Sequence, residues 1–328
     1  MSPPKTPSVC LAWARKPSNA MELSIIIVSW NTRELLDACL ASIYAHQDGL
    51  TLEVIVVDSA SGDGTVEHVR QHFPQVRLLP QSSNVGFTRG NNLGLAIAEG
   101  RHLLLLNPDT VVQDGLLLGM VCFLDEHPEY GIVGPYTINT DGSTQSSRRH
   151  FPNRAIAILE STWLQPLAPL SLLAWYYITE PPDRATLDVD WVQGHALMAR
   201  RKVYEQIGGL DTQFVMYFEE VDWCKRAHLA GWKAKFLGDV TVLHHGGKSS
   251  DQVTQFKHIQ YTRSKILYHR RYHGAWFGEV LRVILASLYA WQGLREASLA
   301  TLGHKSAMRW ERVRVYRAVL RFLMVGQA

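Results

Sequence analysis

Three carboxylates, Glu219, Glu220 and Asp222, fall within four positions of the stretch Met216-Tyr217-Phe218-Glu219-Glu220-Val221-Asp222-Trp223-Cys224-Lys225-Arg226. They follow an aromatic run and open a helix-like segment, where the helix dipole favours negative charge. An acidic first turn with one salt bridge is the bland reading. The chemical one is a general base beside a hydroxyl that must lose its proton, with a divalent ion drawing on the same kind of cluster. The stretch is read together with His244-His245-Gly246-Gly247, a short way downstream.

Three other segments could do chemistry. Asp58, in Val56-Val57-Asp58-Ser59-Ala60-Ser61-Gly62-Asp63-Gly64-Thr65, either caps an Asp-Gly turn or faces a ligand. Asn84-Val85-Gly86-Phe87-Thr88-Arg89-Gly90-Asn91-Asn92 is a strand-to-helix loop in its simplest reading. Its backbone N–H groups at a helix start, together with Arg89, would also hold a diphosphate. Asn107-Pro108-Asp109-Thr110 ends a strand with a single carboxylate, and one carboxylate plus substrate phosphates is a common magnesium or manganese arrangement.

The elements that must position these residues alternate. Leu23 to Trp30 is a continuous, largely β-branched run, the mark of a strand buried on both faces. Asn31 is expected to cap the following helix, with Glu34 completing a capping box. Further strands are expected at Glu53–Val57, Val76–Leu79 and His102–Leu106, with helices between, one running to about Phe73 and another through Leu95 and Ala98. Strands alternating with helices at short spacing make an α/β protein with a parallel sheet. Ligands bind outside the carboxyl ends of such strands, where Asp58 and Asp109 both lie. The stretch from Asp141 to about Asp188 is turn-rich, then apolar, and carries no readable periodicity; it is a candidate acceptor-side segment.

Taken in order, SIIIVSWN, VVDSASGDGT, NVGFTRGNN, LLLLNPDT, GGLDTQFVMYFEEVDWCKRA, GWKAKF and HHGGKSS resemble the family 2 glycosyltransferases of GT-A fold over roughly Met21 to Ser250. NPDT and MYFEEVD look most like the bacterial rhamnosyltransferase branch. The resemblance implies a nucleotide-sugar-binding GT-A fold with a mostly parallel central sheet. Residues 1–20 would be a flexible extension, 21–250 the catalytic domain and 251–328 a helical extension.

The resemblance also implies roles. Asp58 would hold the pyrimidine base, with Trp30, Asn31, Asn84, Gly86, Arg89, Asn92 and Asn107 on the donor. Asp109 would sit on a divalent cation, manganese or magnesium, that bridges the donor diphosphate. His244 is the further ligand, with His245 as the alternative; manganese accepts imidazole. Glu220 takes the place of the family's catalytic Asp, one methylene longer, and Glu219 and Asp222 compete with it. Val192-Gln193-Gly194-His195-Ala196 matches the family's small-residue loop beneath the reacting sugar, and His195 there would touch donor or acceptor. The implied reaction is metal-dependent, inverting transfer of a sugar, rhamnose first, from a nucleotide sugar to a hydroxyl of a glycan or lipid-linked glycan. A non-catalytic nucleotide-sugar-binding protein is the alternative. A Gln-x-x-Arg-Trp motif would mark a processive synthase, but Ser306 stands at the glutamine position before Arg309-Trp310.

From Asp251 onward thirteen Lys and Arg face four acids, although the whole chain carries only +3. The basic residues alternate with Trp276, Phe277, Leu281, Ile284, Leu288, Tyr289 and Trp291. That interleaving suits an anionic membrane surface better than nucleic acid; a helical pair packed on the body is the other reading. No apolar run reaches the roughly 18–20 residues that cross a bilayer, and Met1 to Ala20 does not read as a signal peptide. The four cysteines, Cys10, Cys39, Cys122 and Cys224, lack CxxC spacing and are expected to be reduced thiols. The expected location is the cytoplasm, peripheral at the inner face of the cell membrane.

Overall fold

Leu23–Ser29 forms β1, with nearly every residue buried, because a strand flanked on both sides and covered on both faces has no solvent-facing position to leave polar. The structure is a computed structural model that describes residues 20–246, 254–303 and 305–325. The expected extension over residues 1–20 thus lies almost wholly outside the described residues. Two compact units emerge. The sheet unit holds Met1–Phe151, Tyr177–Thr212 and Glu220–Ser249, and the helical unit holds Pro152–Tyr176, Gln213–Glu219 and Ser250–Ala328.

After β1 come α1 (Arg33–Ala45), β2 (Leu52–Asp58), α2 (Thr65–His72), β3 (Arg77–Pro80), α3 (Gly86–Ile97) and β4 (His102–Leu106). β5 (Thr110–Val112), α4 (Leu116–Glu126), β6 (Tyr130–Ile138), β7 (Thr144–Gln145) and β8 (Arg148–Arg149) follow. Past α5 (Arg154–Leu159) and α6 (Leu170–Tyr177) the chain makes β9 (Leu187–Val189), β10 (Trp191–Val192), β11 (Ala196–Arg200), α7 (Arg201–Ile207), α8 (Glu219–Leu229) and β12 (Lys233–His244). It ends in α9 (Thr254–His273), α10 (Ala275–Thr301) and α11 (Ser306–Val325).

The main sheet has the order β3-β2-β1-β4-β11-β6-β12-β5. β3, β2, β1, β4, β6 and β12 point one way, and β11 and β5 oppose them. The sheet is therefore mostly parallel, as expected. β2 leaves one side of β1 and β4 pairs on the other, so a crevice opens at the carboxyl ends of these strands, where chain direction diverges. Ser29 lies directly opposite Asp58 there. α3 is seated close on β1 by two glycines: a Cβ on Gly90 would come within 2.8 Å of Val28, and one on Gly94 within 2.4 Å of Ile26. That close seat fixes the start of α3 beside the ends of β1 and β2.

The capping box at Asn31 does not form. Thr32 occupies the N-cap and makes no side-chain cap bond, while Asn31 takes a left-handed φ of 52°. Its side chain turns instead to the neighbouring loop, where Oδ1 accepts from Gly62 N at 2.8 Å. The helical extension contains three helices rather than a pair. Phe277, Leu281 and Leu285, one helical turn apart on α10, pack with Ile259, Val319 and Leu323 into its core. Among the described residues no helix is long and apolar enough to cross a membrane. Cys39 and Cys224 are free and buried thiols, as expected; Cys10 lies outside the described residues.

Candidate active site

Asp58 closes β2 with almost no exposed surface. Its Oδ2 accepts from Ser61 N at 2.9 Å, and its Oδ1 is buried with no partner. A buried carboxylate oxygen left unsatisfied is costly, and a ligand donor is the usual remedy at a site. The loops after β1 and β2 are laced together, Asn31 N donating to Ser61 Oγ at 2.9 Å and Arg33 N to Asp63 Oδ2 at 3.0 Å. Ser59 Oγ reaches Asn84 Oδ1 at 3.2 Å and accepts from Val85 N at 2.9 Å, tying the Asn84 loop to the end of β2. Gly86 N donates to Asn84 Oδ1 at 2.9 Å, and Gly86 itself takes a φ of 75° at the first turn of α3. Arg89 stands exposed on that turn, and Trp30 is half-buried.

β4 ends in the turn that carries Asn107 and Asp109. Asn107 N donates to His195 O at 2.9 Å, and Asn107 Oδ1 is buried without a partner. Asp109, 4% exposed, lies with Oδ1 3.2 Å from His244 Nε2. His244 Nδ1 is 2.7 Å from Gln145 Oε1. An amide oxygen only accepts, so Nδ1 carries the proton. Nε2 stands at ion-pair distance from the Asp109 carboxylate, a contact satisfied either by a proton on Nε2 or by a cation between the two groups.

His195 stacks on His244, with centroids 4.5 Å apart and planes within 10°. Its Nε2 is 2.8 Å from Thr137 Oγ1. Burial, and then His244, hold its pKa well below the usual histidine value, so it is a neutral, fixed wall for the His244 ring. Among the described residues no group of three or more His, Cys, Asp or Glu side chains could hold a metal alone. A cation held by Asp109 and His244 would have to take its remaining ligands from a diphosphate and water.

The acidic trio divides by environment. Asp222 is fully buried and accepts from Arg226 Nε at 2.8 Å. The same guanidinium donates to Ile207 O and Gly209 O, each at 2.6 Å, so this pair braces α8 against the preceding turn. Glu219 is buried at the helix start. Glu220 lies against Gly194, where an added Cβ would come within 3.4 Å of the Glu220 side chain. Burial raises its pKa, and the backbone N–H groups of Glu220, Val221 and Gly194 offset part of that rise. Its Oε2 is buried with no partner. Asp222 is engaged by Arg226, whereas Glu220 Oε2 meets no protein donor.

Residues 24–208 match the family model described as glycosyl transferase family 2, which is more than half of the 328 residues. The chain belongs to glycosyl transferase family 2. It is a glycosyltransferase, and the matched span contains Asp58, Asp109 and His195 while stopping short of Glu220 and His244. The N-acetylglucosaminyl-diphospho-decaprenol L-rhamnosyltransferase of Mycobacterium tuberculosis is 27% identical over 271 residues, covering 79% of this chain and 88% of its own. Rhamnosyltransferase WbbL of Escherichia coli K12 is 22% identical over 232 residues, covering 67% and 82% respectively. Mannosyltransferase PcManGT from Pyrobaculum calidifontis, solved with GDP-Man and Mn2+, superposes with a TM-score of 0.54 at 18% identity. That match covers 97% of this chain and 93% of its own, and it shows a shared fold.

Within this glycosyltransferase the sheet unit carries Asp58, Asn84, Asn107, Asp109, Gly194, His195 and His244 at strand ends and adjoining turns, and Glu220 in the first turn of α8. Asn92 is spent otherwise: its Nδ2 donates to Leu210 O at 2.7 Å and its Oδ1 accepts from Leu210 N at 2.9 Å. His245 is placed by its backbone, N donating to Asp109 O at 2.9 Å. Gln145 and Thr137, which set the orientation of the two histidines, escaped the sequence reading. Gln145 lies 99 positions from His244, and no local pattern marks such a partner.

Proposed function

We propose that this enzyme transfers rhamnose from dTDP-rhamnose to a hydroxyl of a lipid-linked glycan, with inversion and with the help of a divalent cation, at the cytoplasmic face of a membrane. The observation that carries the reading is the split between two carboxylates of the sheet unit. Asp109 stands 3.2 Å from His244 Nε2, while Glu220 keeps a buried oxygen without a partner beside Gly194. One setting suits a cation and the other a proton. The names of the Mycobacterium and Escherichia relatives support rhamnose, and the former's name supports a lipid diphosphate acceptor. The manganese and GDP-Man bound by the Pyrobaculum enzyme support a cation and a nucleotide sugar.

In this reading Asp58 and the Asn84 loop seat the nucleotide, and Arg89 meets the diphosphate. Asp109 and His244 would hold the cation, which when bound supplies neutralisation of the charge that develops on the leaving diphosphate. Glu220 Oε2 takes the proton of the acceptor hydroxyl. The hydroxyl oxygen bonds to the anomeric carbon from the face opposite the nucleotide, the bond to the diphosphate oxygen breaks, and the configuration inverts. A base whose pKa is raised toward the working pH is better matched to that proton transfer.

The helical unit supports the membrane location. On α11, Trp310, Arg314, Arg317, Arg321 and Met324 follow one another at helical spacing and all are exposed, the composition of a helix lying in an anionic interface. The test is a transfer assay with dTDP-rhamnose, UDP-glucose and GDP-mannose against a polyprenyl diphosphate N-acetylglucosamine acceptor, with and without a chelator. Product from dTDP-rhamnose, inverted at the anomeric carbon and lost on chelation, is expected. Preference for another donor ends the rhamnose assignment, and activity indifferent to the chelator ends the metal assignment.

A further inference from the structure

The helical unit encloses a cavity of about 570 Å³, within the roughly 300–1,000 Å³ of small-molecule sites. Its wall is aromatic, with Trp163, Tyr217, Tyr261, Tyr289 and Tyr316, and it continues into Leu285 and Leu288. Trp163 stacks on Trp291, centroids 4.3 Å apart, and its indole N–H is buried without an acceptor. Buried Trp N–H groups are nearly always bonded, so this donor is available to a ligand.

The wall also carries charge of one sign. Lys257 and Lys265 line it together with His258, whose pKa is lowered by burial and then by Lys257, and no acid does. Lys265 is 3% exposed; its Nζ donates to Glu160 O at 2.6 Å and stands 3.8 Å from the Glu160 carboxylate. Burial pushes its pKa down to about 8, with Glu160 working against that fall. A buried lysine beneath an aromatic wall is a costly arrangement for packing alone.

The third observation is strain. Tyr217 and Phe218 both take left-handed φ values, 67° and 65°, a conformation that bulky residues adopt rarely and that clusters at functional sites. α9 holds the turn in place: Ser264 Oγ donates to Met216 O at 2.9 Å, and the Phe218 ring packs with Tyr261 and Tyr268. Tyr217 thus belongs to the cavity wall, and Glu220 follows it by three positions in the chain.

We infer that this cavity binds the anionic head of the acceptor, a sugar joined through diphosphate to a lipid. The ring faces and the Trp163 N–H meet the sugar, Lys257 and His258 the phosphates, and Leu285 and Leu288 the first lipid carbons. The inference rests on the acceptor class proposed above. A phospholipid headgroup offers similar chemistry without the sugar.

The test uses the full-length protein, isothermal titration, and the octyl diphosphate ester of N-acetylglucosamine as probe. Wild type should bind it, and octyl N-acetylglucosaminide, lacking the diphosphate, should bind about tenfold or more weakly, the scale of a lost charge-assisted contact. Lys257→Ala should cost a similar factor, Lys257→Arg should restore most of it, and Trp163→Phe, which keeps a ring and deletes the N–H, should weaken binding severalfold. Affinity for dTDP and thermal stability should not move. The inference is overturned if wild type does not bind the probe, if the variants bind it as wild type does, or if phosphatidylglycerol vesicles displace it at equal phosphate concentration. Failure of the function reading looks different: no nucleotide sugar is transferred, yet the probe still binds in a Lys257- and Trp163-dependent way. Conversely, rhamnosyl transfer with unchanged acceptor KM in the variants removes the cavity assignment alone.

Discussion

In the sheet unit the side chains with no exposed surface are mostly aliphatic: Ile25, Ile27, Val56, Leu104 and Met198 stack on the faces of the strands. In the helical unit Ser264 and His269 are just as buried, and Gln260, Lys265 and Glu296 retain 5% exposure or less. Glu296 there faces Arg309 at 2.6 Å, while in the sheet unit Asp58 and Asp109 are buried at or just past strand ends and Asp222 on a helix. Close packing of apolar volume gives the sheet unit a rigid base, so that groups at its rim hold their positions. A unit that keeps polar groups and a cavity in its interior gives up some of that rigidity for places to bind. Fixed geometry for chemistry and a receptive interior for a bulky substrate are different physical requirements, and under the acceptor proposal above the two cores would meet one each.

The sharpest way to break this contrast is at Glu220. Glu220→Gln should lower turnover by about 10²–10⁴-fold, the usual contribution of a general base, with donor affinity intact. Burial raises the Glu220 pKa, so turnover in the parent should rise with pH through a limb lying above the ordinary carboxylate range, and that limb should vanish in the variant. Stability carries the opposite sign. A raised folded pKa means that the contribution of the neutral carboxyl is complete below its unfolded pKa and is lost as pH rises through the folded one. The variant should therefore equal or exceed the parent's melting temperature at neutral pH, with the margin shrinking in acid. A variant that loses turnover and stability together at neutral pH would make Glu220 a structural residue.

Two truncations compare the cores directly. Leu104→Ala, in a close-packed strand, should cost about 2–5 kcal/mol because both transfer and cavity terms apply. Leu285 already borders a cavity, so Leu285→Ala should fall at or below the bottom of that ~2–5 kcal/mol range, where little new void is created. Urea unfolding of both variants reads the difference. Equal losses would mean that the helical unit packs as tightly as the sheet.

A smaller effect is expected at Gln145. Gln145→Leu leaves Asp109 and His244 in place but frees the ring that Gln145 orients. Residues one step behind a metal ligand typically matter by about 10–100-fold in metal affinity, and manganese titration of activity should show a rise in the half-saturating concentration of that size. An unchanged manganese requirement would mean that stacking on His195 alone sets the His244 ring.

The same contrast explains what could be read from the sequence. β1 and β4 were legible because strands buried on both faces become unbroken apolar runs, and Asp58 and Asp109 were legible because they punctuate such runs. The Asn31 capping box failed because a left-handed turn sends the Asn31 side chain to Gly62, a contact 31 positions away. Of the acidic trio, spacing could not separate Glu220 from Asp222; that took Arg226, whose grip on Ile207 O and Gly209 O depends on tertiary structure. The stretch from Asp141 to Asp188 resisted because its order is not periodic. Its strands β7 and β8 are two residues long, and Arg148 is buried by donating to Pro181 O and Pro182 O. The helical unit's moments were blurred because buried polar groups interrupt its apolar stripes.

The smallest effect per residue belongs to the outer face of the helical unit. Arg314, Arg317 and Arg321 share an exposed stripe of α11 with Trp310 and Met324. Arginines near an anionic surface contribute about 1 kcal/mol each, so replacing all three by Gln should weaken sedimentation with phosphatidylglycerol vesicles by about two orders of magnitude at low salt. Each single substitution should weaken binding by only about fivefold. The gap between variant and parent should close as salt rises, because charges at a surface are screened over ~8–10 Å at physiological ionic strength. Trp310→Ala should behave differently, weakening binding by an amount that salt does not remove, since burial of an indole does not depend on screening. If the triple variant sediments as the parent does at low salt, the stripe is solvated surface and the contact with lipid lies elsewhere. If vesicle binding instead follows substitutions in the sheet unit, the division of labour between the two units is wrong.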